Sequence, residues 1–347
     1  MVKSKRVGYA VIGLGHISQR AILPGFRHAK VSRLIALVSG DGEKAKRLAE
    51  QFGAKHTYTY DTFDECLLNP QVEAVFIATP NSTHLEFALK AARAGKHVLC
   101  EKPLAITTVQ CRQMIEACGK NGVKLMTAYR KHFEPSAIEF RHLIASGKLG
   151  RLKIIHTAFT VLLPPGDSWH LTKSLAGGGS LFDIGIYCIN TVRWLTGLEP
   201  FEATAYSWTA DPARFNEVDE NMSFQLKFPE GLYLQGSSSF TAAKASFLQV
   251  HGEKGWAALN PAYAYNEERR FFGKIAGEWF EKKFKVVDEF CLELDYFSEC
   301  IRENRDPLPD GIAGMRDVAV MEAIYEAAKM NRAVAIQVPG IDGFSPE

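Results

Sequence analysis

Ala94-Gly95-Lys96-His97-Val98-Leu99-Cys100-Glu101-Lys102-Pro103-Leu104-Ala105 is the stretch on which the reading of this chain turns. Gly95 stops a preceding helix. Val98 to Cys100 is a short apolar run and reads as a buried strand. The run ends in a charged pair and a proline. Pro103 cannot extend a sheet and restricts Lys102 to extended geometry. Lys102 is therefore expected at the carboxyl end of a parallel strand, the edge at which open α/β sheets bind ligands. A lysine there can donate a proton or a hydrogen bond to a substrate oxygen, and its basicity can be tuned by burial and neighbours. The alternative is a surface lysine paired with Glu101. A lone tripeptide does not choose between them.

Upstream, the same strand-then-helix unit repeats. Val7 to Ile12 is an apolar strand, followed at once by Gly13-Leu14-Gly15-His16-Ile17-Ser18 and a helical pattern from Ile17 to Phe26. The glycines allow a tight turn and the approach of a pyrophosphate to backbone N–H groups at a helix N-terminus. Ser18 stands where the third glycine of the fingerprint belongs. Leu34 to Ser39 reads as strand two, Glu43 to Phe52 and Thr62 to Leu68 as helices, and Ala74 to Ala78 as a strand. Thr83 to Ala94 is a helix, His97 to Glu101 a strand, Thr108 to Gly119 a helix and Lys124 to Ala128 a strand. This alternation predicts a parallel, doubly wound sheet. Thr79-Pro80-Asn81-Ser82-Thr83-His84 leaves one strand, and its polar groups could line the nicotinamide side of a cofactor site. Asn81, Ser82 and Thr83 could equally cap the next helix.

The chain has 347 residues, enough for two domains. It is 46% hydrophobic and 23% charged, as soluble globular proteins are. A net charge of +2 gives no bulk electrostatic case for nucleic acid or a membrane surface. No run reaches the ~18 apolar residues of a membrane span. The basic start, Met1 to Arg6, leads into a strand and a glycine turn rather than a secretory segment. Seven scattered cysteines read as reduced and mostly buried in a cytoplasmic protein, and ten histidines show no metal-ligating spacing.

Beyond residue 129 a second domain begins, and from Phe201 its texture changes. Glu134 to Ser146 is a helix and Lys153 to Thr160 a strand. Val161 to Ala176 is a loop holding Trp169 and His170, a natural place for substrate contacts. Gly177-Gly178-Gly179-Ser180-Leu181-Phe182-Asp183-Ile184-Gly185-Ile186-Tyr187 follows. Its glycines bring backbone close to something, and a helix runs from Ser180 to Leu195. Asp183 and Tyr187, four apart, share one face. Ser180 and Asp183 could also form a capping box, in which case Asp183 only stabilises the helix and Tyr187 only packs. Phe201 to Trp208, Glu220 to Phe228, Leu232 to Phe240 and Phe247 to His251 alternate between tight turns and predict an antiparallel sheet. Asn260 to Lys285 reads as irregular. Phe290 to Asn304 and Met315 to Asn331 read as helices, and the tail from Ile336 as extended. The predicted division is a dinucleotide-binding domain, 1–129, and a substrate-binding and oligomerisation domain, 130–347.

Taken together, Gly13-Leu14-Gly15, Glu101-Lys102-Pro103, the run from Gly177 to Tyr187 and the antiparallel second half resemble the glucose-fructose oxidoreductase, inositol dehydrogenase and MocA family. The likeness is greatest to its glucose-fructose branch, through Leu37-Val38-Ser39-Gly40 with Glu43-Lys44-Ala45-Lys46, and runs from Tyr9 to about Ala333. It implies a Rossmann domain followed by an α/β domain whose open sheet often joins subunits into a dimer or tetramer. It implies hydride transfer between a nicotinamide ring and a sugar. The family lysine falls on Lys102, the helix aspartate on Asp183 and the position four later on Tyr187. Lys102 would make the Tyr187 hydroxyl more acidic, and Asp183 would orient the pair. Cofactor contacts are implied at Gly13, Gly15, His16, Ile17, Ser39, Gly40, Lys44, Thr79, Pro80, Asn81, His84, Glu101, Lys102, Arg130 and Trp169. The Trp-Arg pair common before the glycine run is Trp169-His170 here.

The cofactor expected is NADP rather than NAD. Strand two ends at Ser39, with no carboxylate to receive a ribose 2′-hydroxyl, and Lys44 follows at a helix N-terminus. Asp41 is expected to point outward from its glycine turn. The expected activity is aldose oxidation to a lactone, or reduction of an aldose or keto-sugar. The alternatives are a dihydrodiol or xylose dehydrogenase of the same family and a non-catalytic, dinucleotide-sensing regulatory protein.

Overall fold

A computed structural model describes residues 6–166 and 168–337. They form two compact units: residues up to Arg130 together with Asp288–Met315, and Lys131–Val287 together with the residues from Arg316.

The first unit is built on a parallel sheet of β1 (Val7–Ile12), β2 (Ser32–Val38), β3 (His56–Tyr58), β4 (Ala74–Ile77), β5 (His97–Glu101) and β6 (Leu125–Ala128), in the order β3-β2-β1-β4-β5-β6. The strand order reverses between β1 and β4, which opens a crevice at their carboxyl ends. β1 and β4 are buried along their whole length, as central strands covered by helices on both faces must be. The helices fall where the apolar periodicity puts them, at Gly42–Phe52, His84–Arg93 and Thr108–Lys120.

Residues Asp288–Met315, which the sequence division gave to the second domain, belong to this first unit. The reason is a polar seam on the helix Glu289–Glu303. Asp295 accepts the backbone N–H groups of Lys30, Val31 and Ser32, and Ser298 bonds the hydroxyl of Tyr9 at 2.9 Å.

The second unit carries β7 (Leu152–Thr160), β8 (Glu202–Trp208), β9 (Asn221–Lys227), β10 (Tyr233–Ser239), β11 (Ala245–Gly252), β12 (Gly255–Asn260), β13 (Arg269–Ile275), β14 (Glu278–Phe284) and the short β15 (Val334–Ala335). Their order is β14-β13-β12-β11-β7-β10-β9-β8-β15. All neighbours are antiparallel except β7 and β10, which run parallel. β9 shows the two-faced pattern, with Met222, Phe224 and Leu226 buried and Ser223, Gln225 and Lys227 exposed. The segment Asn260–Lys285, read from sequence as irregular, contains the β13–β14 hairpin. The tail expected to be extended lies, past residue 337, outside the described residues. All seven cysteines are unpaired and buried. Among the described residues no helix is long and apolar enough to cross a membrane.

Candidate active site

In the first unit the chain leaves β1 through Gly13, whose φ of +90° lies in the left-handed region. A β-carbon there would stand 2.5 Å from the Ala78 carbonyl oxygen, so both space and dihedral require glycine. At Gly15 a β-carbon would meet nothing within 4 Å. This backbone is open, as an approaching pyrophosphate needs. Ser18 is buried and donates its hydroxyl to the Gly13 carbonyl at 2.6 Å, so it closes the turn that a third glycine would only permit. A π-type turn, Ser18–Ile22, opens the helix that follows. Gly15 and His16 are exposed and Ile17 is half-buried.

At the end of β2, Ser39 is buried and its hydroxyl oxygen accepts the Asp41 N–H at 3.1 Å. Asp41 is exposed, as expected, yet it is not idle. It caps the helix Gly42–Phe52 by accepting the Lys44 N–H at 2.9 Å. Gly40 faces the ring of Tyr60, whose Cε2 would lie 3.2 Å from a β-carbon there. Tyr60 escaped the sequence reading because the strand before it, β3, is three residues long and only half-buried.

After β4, Thr79 and Asn81 are buried and Pro80 is half-buried. No side-chain cap forms on the helix His84–Arg93; Thr83 instead donates its hydroxyl to the Thr79 hydroxyl and the Pro80 carbonyl. His84 is fully buried. Its Nε2 lies 3.0 Å from the Thr79 carbonyl, and its Nδ1 lies 3.0 Å from the Pro103 carbonyl. Its ring therefore ties the loop after β4 to the loop after β5. Burial pushes the imidazole below its ordinary range, and the nearby Lys102 charge acts in the same direction. Glu101 and Lys102 are half-buried at the carboxyl end of β5, as the proline punctuation predicted, with the Lys102 N–H bonded to the Glu101 carboxylate at 3.2 Å. Arg130 is buried in the first unit, paired with Glu289 at 2.5 Å and lying over the Phe290 ring.

In the second unit, Asp183 and Tyr187 lie on consecutive turns, a π-type turn at Leu181–Gly185 and the helix Ile186–Thr196. Asp183 is half-buried. Tyr187 is 8% exposed, its ring set edge-on to Phe159 and tilted against Tyr263. His170 stacks on Trp169 with centroids 3.9 Å apart, and its Nε2 lies 3.9 Å from Asp183. The capping box proposed for Ser180 and Asp183 does not form. Ser180 already has helical dihedrals, and its hydroxyl is engaged by Asp219. Asp219 is the residue that the sequence reading missed, because no local pattern links it to the glycine run. Burial pushes its carboxyl up, while bonds from Tyr325 and the N–H groups of Leu181 and Gly179 pull it down. Among the described residues no cluster of side chains could hold a metal ion.

Residues 7–129 match the oxidoreductase family with an NAD-binding Rossmann fold, and residues 138–258 match the GFO/IDH/MocA C-terminal domain. The chain belongs to the Gfo/Idh/MocA family. A D-xylose 1-dehydrogenase [NADP(+)] of Haloarcula marismortui is 31% identical over 335 residues, covering 95% of this chain and 93% of the relative. A 1,5-anhydro-D-fructose reductase of Ensifer adhaerens is 32% identical, with coverages of 71% and 74%. The crystal structure of an aldose-aldose oxidoreductase from Caulobacter crescentus, complexed with glycerol, superposes with a TM-score of 0.92 at 41% identity, covering 95% of this chain and 100% of that one. As a member of the Gfo/Idh/MocA family this chain is an oxidoreductase, and the first unit fits a nicotinamide dinucleotide: the glycine turn sits where the strand order reverses, and the backbone at Gly15 is open.

Proposed function

We propose that this protein is an NADP-dependent oxidoreductase that transfers hydride between nicotinamide and a sugar, oxidising an aldose to its lactone or reducing a sugar carbonyl. When bound, the nicotinamide ring supplies or accepts the hydride. Lys102 and Tyr187 exchange the proton of the substrate oxygen, an amine and a phenol being groups that can give up and take back a proton. Asp183 orients the hydroxyl group beside it by hydrogen bonding. Gly13, Gly15, His16 and Ile17 receive the pyrophosphate, Ser39, Gly40 and Lys44 the adenosine end, and Thr79, Pro80, Asn81 and Glu101 the nicotinamide end. His84 acts on that end through the two loops that it joins. Trp169 supplies an apolar face, and Arg130 supports the edge from within.

The observation that carries the cofactor preference is the end of β2. It presents the hydroxyl of Ser39 with Lys44 one turn on, and no carboxylate stands at the strand end itself. The sugar assignment draws on the relatives, whose names give D-xylose, 1,5-anhydro-D-fructose and aldoses as their substrates.

The test is NADPH absorbance with a panel of D-xylose, D-glucose, D-galactose, L-arabinose and 1,5-anhydro-D-fructose, in both directions. Turnover of at least one sugar is expected. Dinucleotide binding without turnover of any sugar would favour the regulatory protein instead. A second copy of the chain is proposed to cover the open face of the nine-stranded sheet, where Tyr206, Trp208 and Trp279 are each more than half exposed. Sedimentation showing only monomer would remove that part. The cytoplasm is proposed as the compartment, in keeping with seven unpaired, buried cysteines.

A further inference from the structure

We propose that Asp219 is a positioning residue that sets the place of Asp183 and Tyr187 by gripping the start of their helix. The inference rests on the reading of those two residues as the ones that meet substrate.

A helix start leaves backbone N–H groups without intrahelical partners. Here the chain supplies no local cap, since Ser180 is itself helical and makes no side-chain cap bond. The acceptors come instead from the loop before β9. One carboxylate oxygen of Asp219 takes the Gly179 N–H at 2.7 Å, and the other takes the Leu181 N–H at 2.9 Å and the Ser180 hydroxyl at 3.0 Å. The Asp219 carbonyl takes the Ser180 N–H at 3.0 Å. Three consecutive residues thus hang from a single one. A negative charge at this end of a helix is also electrostatically favoured.

The glycines of the run are cut to this partner. A β-carbon on Gly179 would lie 2.0 Å from the Asp219 carbonyl oxygen. On Gly178 it would lie 2.1 Å from the hydroxyl of Tyr325. Tyr325, on the helix Gly311–Met330, donates that hydroxyl to Asp219 and so braces the carboxylate from behind. What the glycine run brings its backbone close to is protein: Asp219 and Tyr325.

The grip passes directly to the proposed reacting groups. The Asp183 N–H is bonded to the Gly179 carbonyl at 3.1 Å, so the backbone of Asp183 hangs on the residue that Asp219 holds. Tyr187 follows one turn later. On the underside, Ser238 of β10 bonds the Ser180 hydroxyl at 3.0 Å and lies 3.1 Å from where a Gly185 β-carbon would be. The turn is therefore fixed in height by β10 and in rotation by Asp219. Displacement of a reacting group by about 1 Å can lower turnover a hundredfold without loss of folding.

Asp219→Asn keeps the shape but sets an amide N–H₂ against donors. With the fastest sugar of the panel, kcat per folded molecule should fall about ten- to a hundredfold. KM for NADP should stay within about twofold of the wild-type value. The primary deuterium isotope effect on kcat, measured with sugar deuterated at the oxidised carbon, should rise as the chemical step becomes limiting. A purely structural role would lower the unfolding temperature and move none of these. Tyr325→Phe keeps the grip and loses the brace, so it should show a smaller drop in the same sense; it carries the test should Asp219→Asn not fold. Wild-type kcat per folded molecule in Asp219→Asn, or in Tyr325→Phe where only that variant folds, would overturn the proposal, provided that Asp183→Asn and Tyr187→Phe are slowed. If those two also turn over at the wild-type rate, the reading of the site fails first, and this inference with it.

Discussion

Asp41 and Lys44 meet twice across the first turn of the helix after β2. One carboxylate oxygen accepts the Lys44 N–H at 2.9 Å, and the other lies 3.8 Å from the Lys44 ammonium. The anion site expected at this helix start is therefore shared with a carboxylate that belongs to the chain. A 2′-phosphate must compete with Asp41 for Lys44 while the Ser39 hydroxyl remains beside it. On the proposed reading, charge-assisted hydrogen bonds of about 1.5–3 kcal/mol should still favour NADP, by roughly tenfold to a hundredfold. Titration of the apo-protein with both dinucleotides should show that preference. Lys44→Ala should reduce it, and Asp41→Asn, which keeps a capping side chain, should enlarge it. Tighter binding of NAD by the unaltered protein would refute the assignment.

Lys102→Met preserves the length of the side chain and removes its ammonium. Turnover should drop by about two or more orders of magnitude, the range for a lost acid–base group. Cofactor affinity, read by fluorescence titration, should change far less. Near-normal turnover would return Lys102 to the status of a loop lysine.

Tyr187→Phe leaves the ring contacts with Phe159 and Tyr263 intact, so the variant should unfold close to the wild-type temperature. Its turnover should fall sharply. The opposite pair of results, full activity with stability lowered by about 1–3 kcal/mol, would mean that the hydroxyl is only a buried hydrogen-bond partner.

Acid should weaken the second unit through two neighbouring groups. Burial pushes the His132 imidazole down from 6.5 to about 3, where it donates to Asn190 and stacks on Trp194. Burial alone would raise the Glu134 carboxyl, but Lys131 and Arg269 outweigh it and bring the group from 4.5 to about 2. Both folded-state values are depressed, so the unfolded chain binds protons that the folded chain refuses. The stability held by His132 is complete above pH 6.5 and is lost as pH falls toward 3; that held by Glu134 is lost between 4.5 and 2. Calorimetry between pH 7 and 5 should show a falling unfolding temperature. In His132→Gln that slope should flatten, and an unchanged slope would exclude His132 as its source.

The first sheet could be read from sequence because its strands are buried on both faces and bounded by glycine or proline, as at Val7–Ile12 and His97–Glu101. The β13–β14 hairpin could not. β13 alternates in burial, but Arg269 and Gly273 fill two of its buried positions, so its residues show no apolar alternation; β14 is exposed along most of its length. The helix Glu289–Glu303 was foreseen as a helix, but its amphipathic face does not say which core it joins. Only the bonds of Asp295 and Ser298 do. Of the proposed reacting residues, Lys102, Asp183 and Tyr187 could be picked out as candidates because each lies in a short motif, Glu101-Lys102-Pro103 or the run from Gly177 to Tyr187. Asp219 and Tyr325 could not, since they act through backbone that lies far away in sequence.

The fit of Gly178 and Gly179 against their neighbours restricts how this chain can change by descent. At 178 the obstacles are side chains, the ring and hydroxyl of Tyr325 and the ring of Phe182, and side chains can be exchanged. At 179 the obstacle is a main-chain carbonyl, which every residue at 219 would carry. The two adjacent glycines therefore have unequal futures: one can drift in company with a distant partner, and the other cannot drift at all. A functional library randomised at 178 and 325 together should return larger residues at 178 only beside smaller ones at 325. A library randomised at 179 and 219 should return glycine at 179 whatever stands opposite.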